Sequence, residues 1–277
     1  MCYVYHYTTD DGFKGIIKSQ ELWATSIYHL NDWKEFYHGR DSFIESAKAL
    51  LNSEKAVDAA TELLSYLFDT HPPLFVCSFS AAGDGDDLSQ WREYSPKGGC
   101  AIGFPIAKLL TCAGMQRFDL LRCEYDTTDA NRFVERLASI IERIFEMAGG
   151  VNGFRSQFPF KDPSRNPLMA SLLKLVAKYK HDAFKAEEEW RLVQLLTIVE
   201  QPKFRMSGKF KVPYVAFSLK NQELWKQAQI VMSPCLPDDA KHRRESVKEF
   251  LEYELGRHEL PTDCARSVRI SKAPTVI

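Results

Sequence analysis

Residues 184–194 read Phe-Lys-Ala-Glu-Glu-Glu-Trp-Arg-Leu-Val-Gln. Whether this stretch is strand or helix decides the fold. Aromatic and β-branched residues follow Glu187, and Thr197, Ile198 and Val199 continue the run, which predicts a strand beginning near Glu187 and ended by Pro202. Alternate side chains of a strand share a face. Glu187, Glu189, Arg191 and Val193 then point one way, and Glu188, Trp190 and Leu192 the other. Two carboxylates and a guanidinium on one face suit a site that handles developing positive charge. A helix from Lys174 to Arg191 competes, with Glu187 and Arg191 as an i,i+4 ion pair. Taken alone, the segment leans toward that helix. Its neighbours tip it to the strand.

Upstream, residues 149–168 carry two adjacent glycines and three prolines and read as a loop over a site or a linker into a helix at 168–180. Residues 131–148 have a helical apolar stripe through Phe133, Leu137, Ile140, Ile141 and Ile144. Strands are predicted at 119–125, at 100–104 and, after Pro72 and Pro73, at Leu74–Ser80. Residues 41–68 show helical spacing in Phe43, Ala47, Leu50 and Leu51, then Ala59, Leu63, Leu64 and Leu67, which is core packing. Asn31 or Asp32 caps the helix that leads into this region. At the start, Tyr3–Thr8 reads as a strand, Thr9 or Asp10 caps a short helix through Lys18, and Leu22–Ala24 is extended. Downstream come a strand at 212–219, a last strand at 227–232 and a closing helix at 238–256. Strands and helices are mixed without regular alternation, so the class is α+β. The expected organisation is one domain over 1–277, with helical inserts at about 41–70 and 131–180.

The composition, 45% hydrophobic and 26% charged, is that of an ordinary globular protein. A formal net charge of −1 gives no global electrostatic case for nucleic acid, and a local basic groove stays open. No apolar run reaches the length of about 18 residues that a membrane helix needs. The N-terminus lacks the basic region and apolar core of a signal peptide. The seven cysteines are scattered without a Cys-x-x-Cys pair, which fits reduced thiols in the cytoplasm and argues against zinc.

Three clusters carry possible chemistry: Tyr5-His6-Tyr7-Thr8, Ser89-Gln90-Trp91-Arg92 with Tyr94, and Glu187 to Arg191. Each alone has an ordinary explanation. A lone histidine on an aromatic strand is usually a satisfied core residue, a Trp beside an Arg is often packing, and acidic triplets usually face solvent. Together they supply an imidazole, hydroxyls, aromatic faces, a guanidinium and carboxylates. That inventory suits a dinucleotide, with imidazole and hydroxyl for ribose, arginine for pyrophosphate and aromatics for stacking. No phosphate-binding glycine loop of either standard spacing is present. A Cys–His hydrolase is conceivable, although nothing in the sequence ties a particular Cys to a His.

The ordered set His-Tyr-Thr (His6 to Thr8), Leu-Asn-Asp-x-x-Glu (Leu30 to Glu35), Ser-Gln-Trp-Arg-x-Tyr (Ser89 to Tyr94) and Phe-x-x-Glu-x-Glu-Trp-Arg-Leu (Phe184 to Leu192) resembles a bacterial domain family of unknown function. That family is similar to the ADP-ribosyltransferases, which include DNA- and RNA-modifying toxins of the DarT kind and RNA 2′-phosphotransferases. The resemblance implies a split, bent β core that binds NAD as substrate in a cleft, without a metal. It places His6 and Thr8 on an NAD ribose and makes Glu189, or else Glu187, the catalytic carboxylate. Asn31, Trp91, Arg92 and Tyr94 are the further cofactor-binding candidates, with Arg92 assigned to pyrophosphate. Asn31, Asp32 and Glu35 read equally well as cleft residues or as a helix cap. The implied activity is transfer of ADP-ribose to RNA or DNA by a toxin or anti-phage effector, with an antitoxin as possible partner. An NAD glycohydrolase and a non-catalytic nucleotide-binding module are the alternatives.

Overall fold

The computed structural model describes residues 2–30, 33–51, 54–69, 71, 73–125, 131–132, 134–135, 146–147, 149, 167–197, 199–234 and 237–274. Strand β1 (Tyr3–Thr9) pairs along its whole length with β4 (Gly99–Pro105), and β4 continues to β9 (Gln229–Met232) and β10 (Arg269–Ile270). A second group is β2 (Glu21–Ser26), β8 (Phe210–Ser218) and β7 (Lys203–Ser207). Between the groups lies β3 (Leu74–Ser80), paired from end to end with β6 (Glu189–Leu195), which in turn pairs with β5 (Asp119–Arg122). All these pairings are antiparallel except β9 with β10.

The second edge of β3 is shared. β1 meets it only at Tyr5↔Ser80, whereas β2 meets it at Thr25↔Val76 and Ser26↔Phe75. Opposite Cys77, Ser78 and Phe79 the sheet is therefore split, with no strand on that edge among the described residues. Backbone groups at such a gap need other partners, because a buried unpaired carbonyl is costly. The Ser78 carbonyl finds one in the imidazole of His6, whose Nδ1 lies 3.0 Å away.

Residues directly opposed across antiparallel strands share a face. One face of β3 and β6 carries Phe75, Cys77, Phe79 and Leu192 into a core that also takes Val4, Ile102 and Phe217. Helices α1 (Asp10–Ser19) and α5 (Ile106–Met115) and the long helix α7 (Pro237–Arg257) add Phe13, Ile17, Leu109, Leu251 and Leu255 to it. The other face carries Leu74, Val76 and Val193 against α2 (Trp33–Leu50), α3 (Glu54–Asp69) and α6 (Pro167–Ala177). On that face Tyr5 and Tyr7 form a smaller cluster with Trp91, Ala101 and Val231. Tyr5 is so closely housed that a Cβ on Gly85 or Gly103 would come within 2.3 or 2.4 Å of its ring.

The described structure is thus a mixed α/β fold around a large, mostly antiparallel sheet. The strand expected to begin near Glu187 and end before Pro202 exists and is shorter than its sequence suggests. Residues 182–187 form a turn of 3₁₀ helix, Glu188 takes a left-handed conformation (φ 45°), and the strand runs from Glu189 to Leu195. The turn explains why the carboxylate run does not extend the ladder. The alternative single helix from Lys174 to Arg191 is absent, because α6 stops at Ala177. Gln229–Met232 is not the last strand, since β10 follows it. Leu88–Tyr94 is a helix, α4, capped by Asp87, which accepts from the amides of Ser89 and Gln90. Most of the helix expected at 131–148 and nearly all of the loop expected at 149–168 lie outside the described residues.

Candidate functional site

A cavity of about 410 Å³ occupies the split. Helix α1 borders it with Gly12, Gly15, Ile16 and Ser19, β1 with His6 and Thr8, and β2 with Trp23 and Thr25. From β3 and β6 come Ser78, Ser80, Glu189 and Arg191, and from the segment before β6 come Lys180 and Glu187. Its size falls in the range of small-molecule sites, about 300–1,000 Å³.

Glu189 and Arg191 are neighbours on one strand face, as the alternation requires, and they bind each other. Arg191 Nε donates to Glu189 Oε1 at 2.8 Å and its Nη2 to Oε2 at 3.0 Å, a bidentate pair. Arg191 Nη1 also donates to the Ala177 carbonyl at 2.7 Å, tying the pair to the end of α6. Lys180 Nζ lies 2.9 Å from Glu189 and 2.8 Å from Glu187, and sits 4.7 Å from the centre of the Phe184 ring. Glu187 therefore reaches the same cluster from the 3₁₀ turn rather than from the strand. Glu189 is 4% exposed. Burial pushes its carboxyl up, but the Arg191 guanidinium, the Lys180 ammonium and the Ser78 hydroxyl outweigh that and hold it at about 2. It is a fixed, fully ionised carboxylate at neutral pH. Tyr125 completes its surroundings, the Glu189 amide donating to the phenol oxygen at 2.9 Å.

His6 approaches the split from the opposite face of the sheet, its ring 5.7 Å from that of Phe79. Burial pushes the imidazole below its ordinary value, against the raising effect of the Ser78 carbonyl, so the ring is neutral. A carbonyl can only accept, so Nδ1 carries the proton and Nε2 remains an acceptor. Cys77 Sγ is 3.8 Å from the same Nδ1. This is the Cys–His proximity that the sequence left open, but it does not make a nucleophile. Burial pushes the Cys77 thiol up to about 12, and the nearby nitrogen already holds a hydrogen.

The Ser-Gln-Trp-Arg-x-Tyr motif is helical, and this corrects two expected contacts. On a helix, residues four apart share a face, so Gln90 and Tyr94 line the cavity together. Trp91 turns away into the Tyr5–Tyr7 cluster. It is 2% exposed, packs edge-on to Tyr7 at 4.7 Å and donates from Nε1 to Asp86 at 3.1 Å. Its ring has no free face for a ligand. Arg92 is exposed and is not among the cavity-lining residues. Tyr94 stays in the site: burial, then the charges of Glu189 and Glu187, push its phenol up to about 12. Asn31 and Asp32 lie outside the described residues, although Leu30 borders the cavity.

Trp23, Thr25 and Lys180 were not singled out from sequence, whereas Arg205 was, as one of the cations that could line a phosphate track. Trp23 and Thr25 point to the cavity from β2, and Arg205 from β7 donates to Thr25 Oγ1 at 2.9 Å. The Arg205 guanidinium stands 5.5 Å from the Trp23 ring centre, and Trp23 meets Tyr214 at 4.6 Å. An arginine and a partly exposed tryptophan thus border the cavity, although neither belongs to the Ser-Gln-Trp-Arg-x-Tyr motif. Lys180 was legible only as one more charge near an acidic run, since its partners come together across a turn. No helix among the described residues is long and apolar enough to cross a membrane.

No curated protein and no solved structure matches the chain. Residues 90–192, from the cavity-facing Gln90 on α4 to Leu192 on β6, match a family model described as a protein of unknown function, DUF2971.

Proposed function

We propose that the protein is an NAD-dependent ADP-ribosyltransferase acting on nucleic acid. The observation that carries this reading is the split in the sheet. It opens one cavity flanked by a neutral imidazole on β1, a phenol on α4 and an ionised, buried carboxylate at the start of β6. When the bond between ribose C1′ and nicotinamide breaks, positive charge develops on the ribose. A carboxylate fixed before the reaction stabilises that charge without reorganising, and this is worth most in a dry, low-dielectric site. Glu189 supplies it, with Arg191 and Lys180 holding its orientation. Glu187, half-buried and held by Lys180, takes the proton from the incoming nucleophile as the new bond to C1′ forms. His6 accepts a ribose hydroxyl at Nε2. Trp23 offers an aromatic face and Arg205 a guanidinium for phosphate oxygens.

Radiolabelled NAD offered with RNA, DNA and protein in parallel tests this reading. Nicotinamide release with label on nucleic acid is expected. Release without label would make water the acceptor and the protein a glycohydrolase. No release with any acceptor would leave a nucleotide-binding module.

A further inference from the structure

Between Glu200 and Glu223 the chain has five lysines and arginines and no acid, in a protein whose formal net charge is −1. This stretch contains the β7–β8 hairpin, at the end of the sheet's second group of strands. Its register pairs Lys203 with Tyr214, Arg205 with Val212 and Ser207 with Phe210. Thr25 is opposite Tyr214 and Trp23 opposite Ala216. Trp23, Tyr214, Lys203, Arg205 and Phe210 therefore share one face. That face starts at the cavity and runs outward for about 20 Å, six residues of β8 at ~3.3 Å each. Phe210 is 75% exposed, and on the reverse face Phe204 and Met206 are 62% and 63% exposed. Lys209, in the turn beside Phe210, and Lys203, on the same face, are exposed as well, whereas Lys211 lies on the reverse face opposite Met206.

Lysines on an edge strand are an ordinary guard against pairing with another sheet. Large apolar side chains beside them do the opposite, so edge protection does not explain this composition. Exposed aromatic rings interleaved with cations along a track are what a single-stranded nucleic acid needs: rings for the bases and cations for the phosphates. We propose that the β7–β8 hairpin binds single-stranded nucleic acid and leads it along the Phe210–Arg205–Trp23 face to the cavity. Glu21 lies on this path, holding Lys203 at 3.3 Å and accepting from Trp23 Nε1 at 3.3 Å, which keeps the inner end of the track ordered. A membrane surface fits less well, because Phe210 and the Phe204–Met206 pair lie on opposite faces of the ribbon and form no single wedge. That the bound strand is the acceptor rests on the transferase reading; that it binds does not.

The test is fluorescence anisotropy of the full chain with labelled oligo-dT and oligo-U of about 12 nucleotides. Binding is expected to weaken steeply between about 50 and 200 mM salt. Phe210→Ala is expected to lose about 10-fold in affinity, the worth of one stacked base. Lys203→Ser with Lys209→Ser should weaken binding and flatten its salt dependence. All three side chains are exposed, so thermal melting should match the parent. No oligonucleotide binding, variants that bind like the parent, or parent binding to phosphatidylserine vesicles but not to oligonucleotides would each overturn the proposal. Nicotinamide release is measured separately on the parent. Its absence alongside intact oligonucleotide binding would remove the NAD reading and keep this surface.

Discussion

At the scale of single residues, the site turns on Glu189 and what holds it. Glu189→Gln removes the charge that both Arg191 and Lys180 face. The loss of one preorganised electrostatic group typically lowers turnover about 100- to 1,000-fold. The same change removes the buried carboxylate that Arg191 pairs with and that Lys180 shares with Glu187, and losing one partner of a buried pair costs about 3–5 kcal/mol. Activity must therefore be measured on the folded fraction, with melting followed alongside. Glu187→Gln is expected to be milder in stability, because its carboxylate is only half-buried, and to slow label transfer more than nicotinamide release. Glu188→Gln should be silent in both, since Glu188 is exposed at the left-handed turn. Equal turnover in the Glu189 and Glu188 variants would remove Glu189 from the chemistry. Arg92→Lys should have parent activity, since Arg92 is exposed and away from the cavity. A large loss there would place a ligand outside the split.

At the scale of elements, α1 shows how the fold makes room. Gly12 is required by packing, as a Cβ there would lie 2.0 Å from Thr8 Oγ1. Gly15 has no such reason among the described residues, none of which comes within 4 Å of its Cβ position, and it borders the cavity. A mid-helix glycine costs about 0.5–1 kcal/mol relative to alanine. Gly15→Ala should thus raise stability by about that much and leave NAD binding intact, whereas Gly15→Trp should fill the cavity. Calorimetry of NAD binding to both variants checks this, and unchanged affinity in Gly15→Trp would place the ligand elsewhere. Elements with a clean period were legible in the sequence: Tyr3–Thr9, Leu74–Ser80 and the apolar stripe of α2. The placement of Glu189 beside Arg191 was legible too, because strand alternation alone puts them side by side. The Ser-Gln-Trp-Arg-x-Tyr motif misled, because Gln90 and Tyr94 share a face only once the segment is known to be helical. The meeting of Trp23 with Arg205 stayed hidden for another reason. They are 182 residues apart in sequence, and only the β2–β8–β7 order brings them together.

At the scale of the whole molecule, the buried charges of the split set how stability responds to acid. Glu189 is held at about 2 against an ordinary value of 4.5. A depressed carboxylate contributes stability above its unfolded value, and loses it as pH falls toward its folded value. The gap between 4.5 and about 2 corresponds to about 3 kcal/mol, present at neutral pH and lost progressively below about 4.5. His6 acts at higher pH with the same sign. Its folded value is depressed by burial, so below about 6.5 the unfolded chain binds a proton that the folded one resists, and stability falls. Two successive losses are therefore expected on acidification, the first from the imidazole and the second from the carboxylate. Other carboxylates also titrate below pH 5, so the informative quantity is the difference between parent and variant. Urea unfolding of the parent and of Glu189→Gln at intervals from pH 8 to pH 3 gives it. The parent's advantage should be constant above about pH 5 and shrink below about 4.5, as the parent alone loses this contribution. An advantage that stays constant to pH 3 would mean that Glu189 is not held as a buried anion, and the electrostatic basis of the proposed chemistry would go with it.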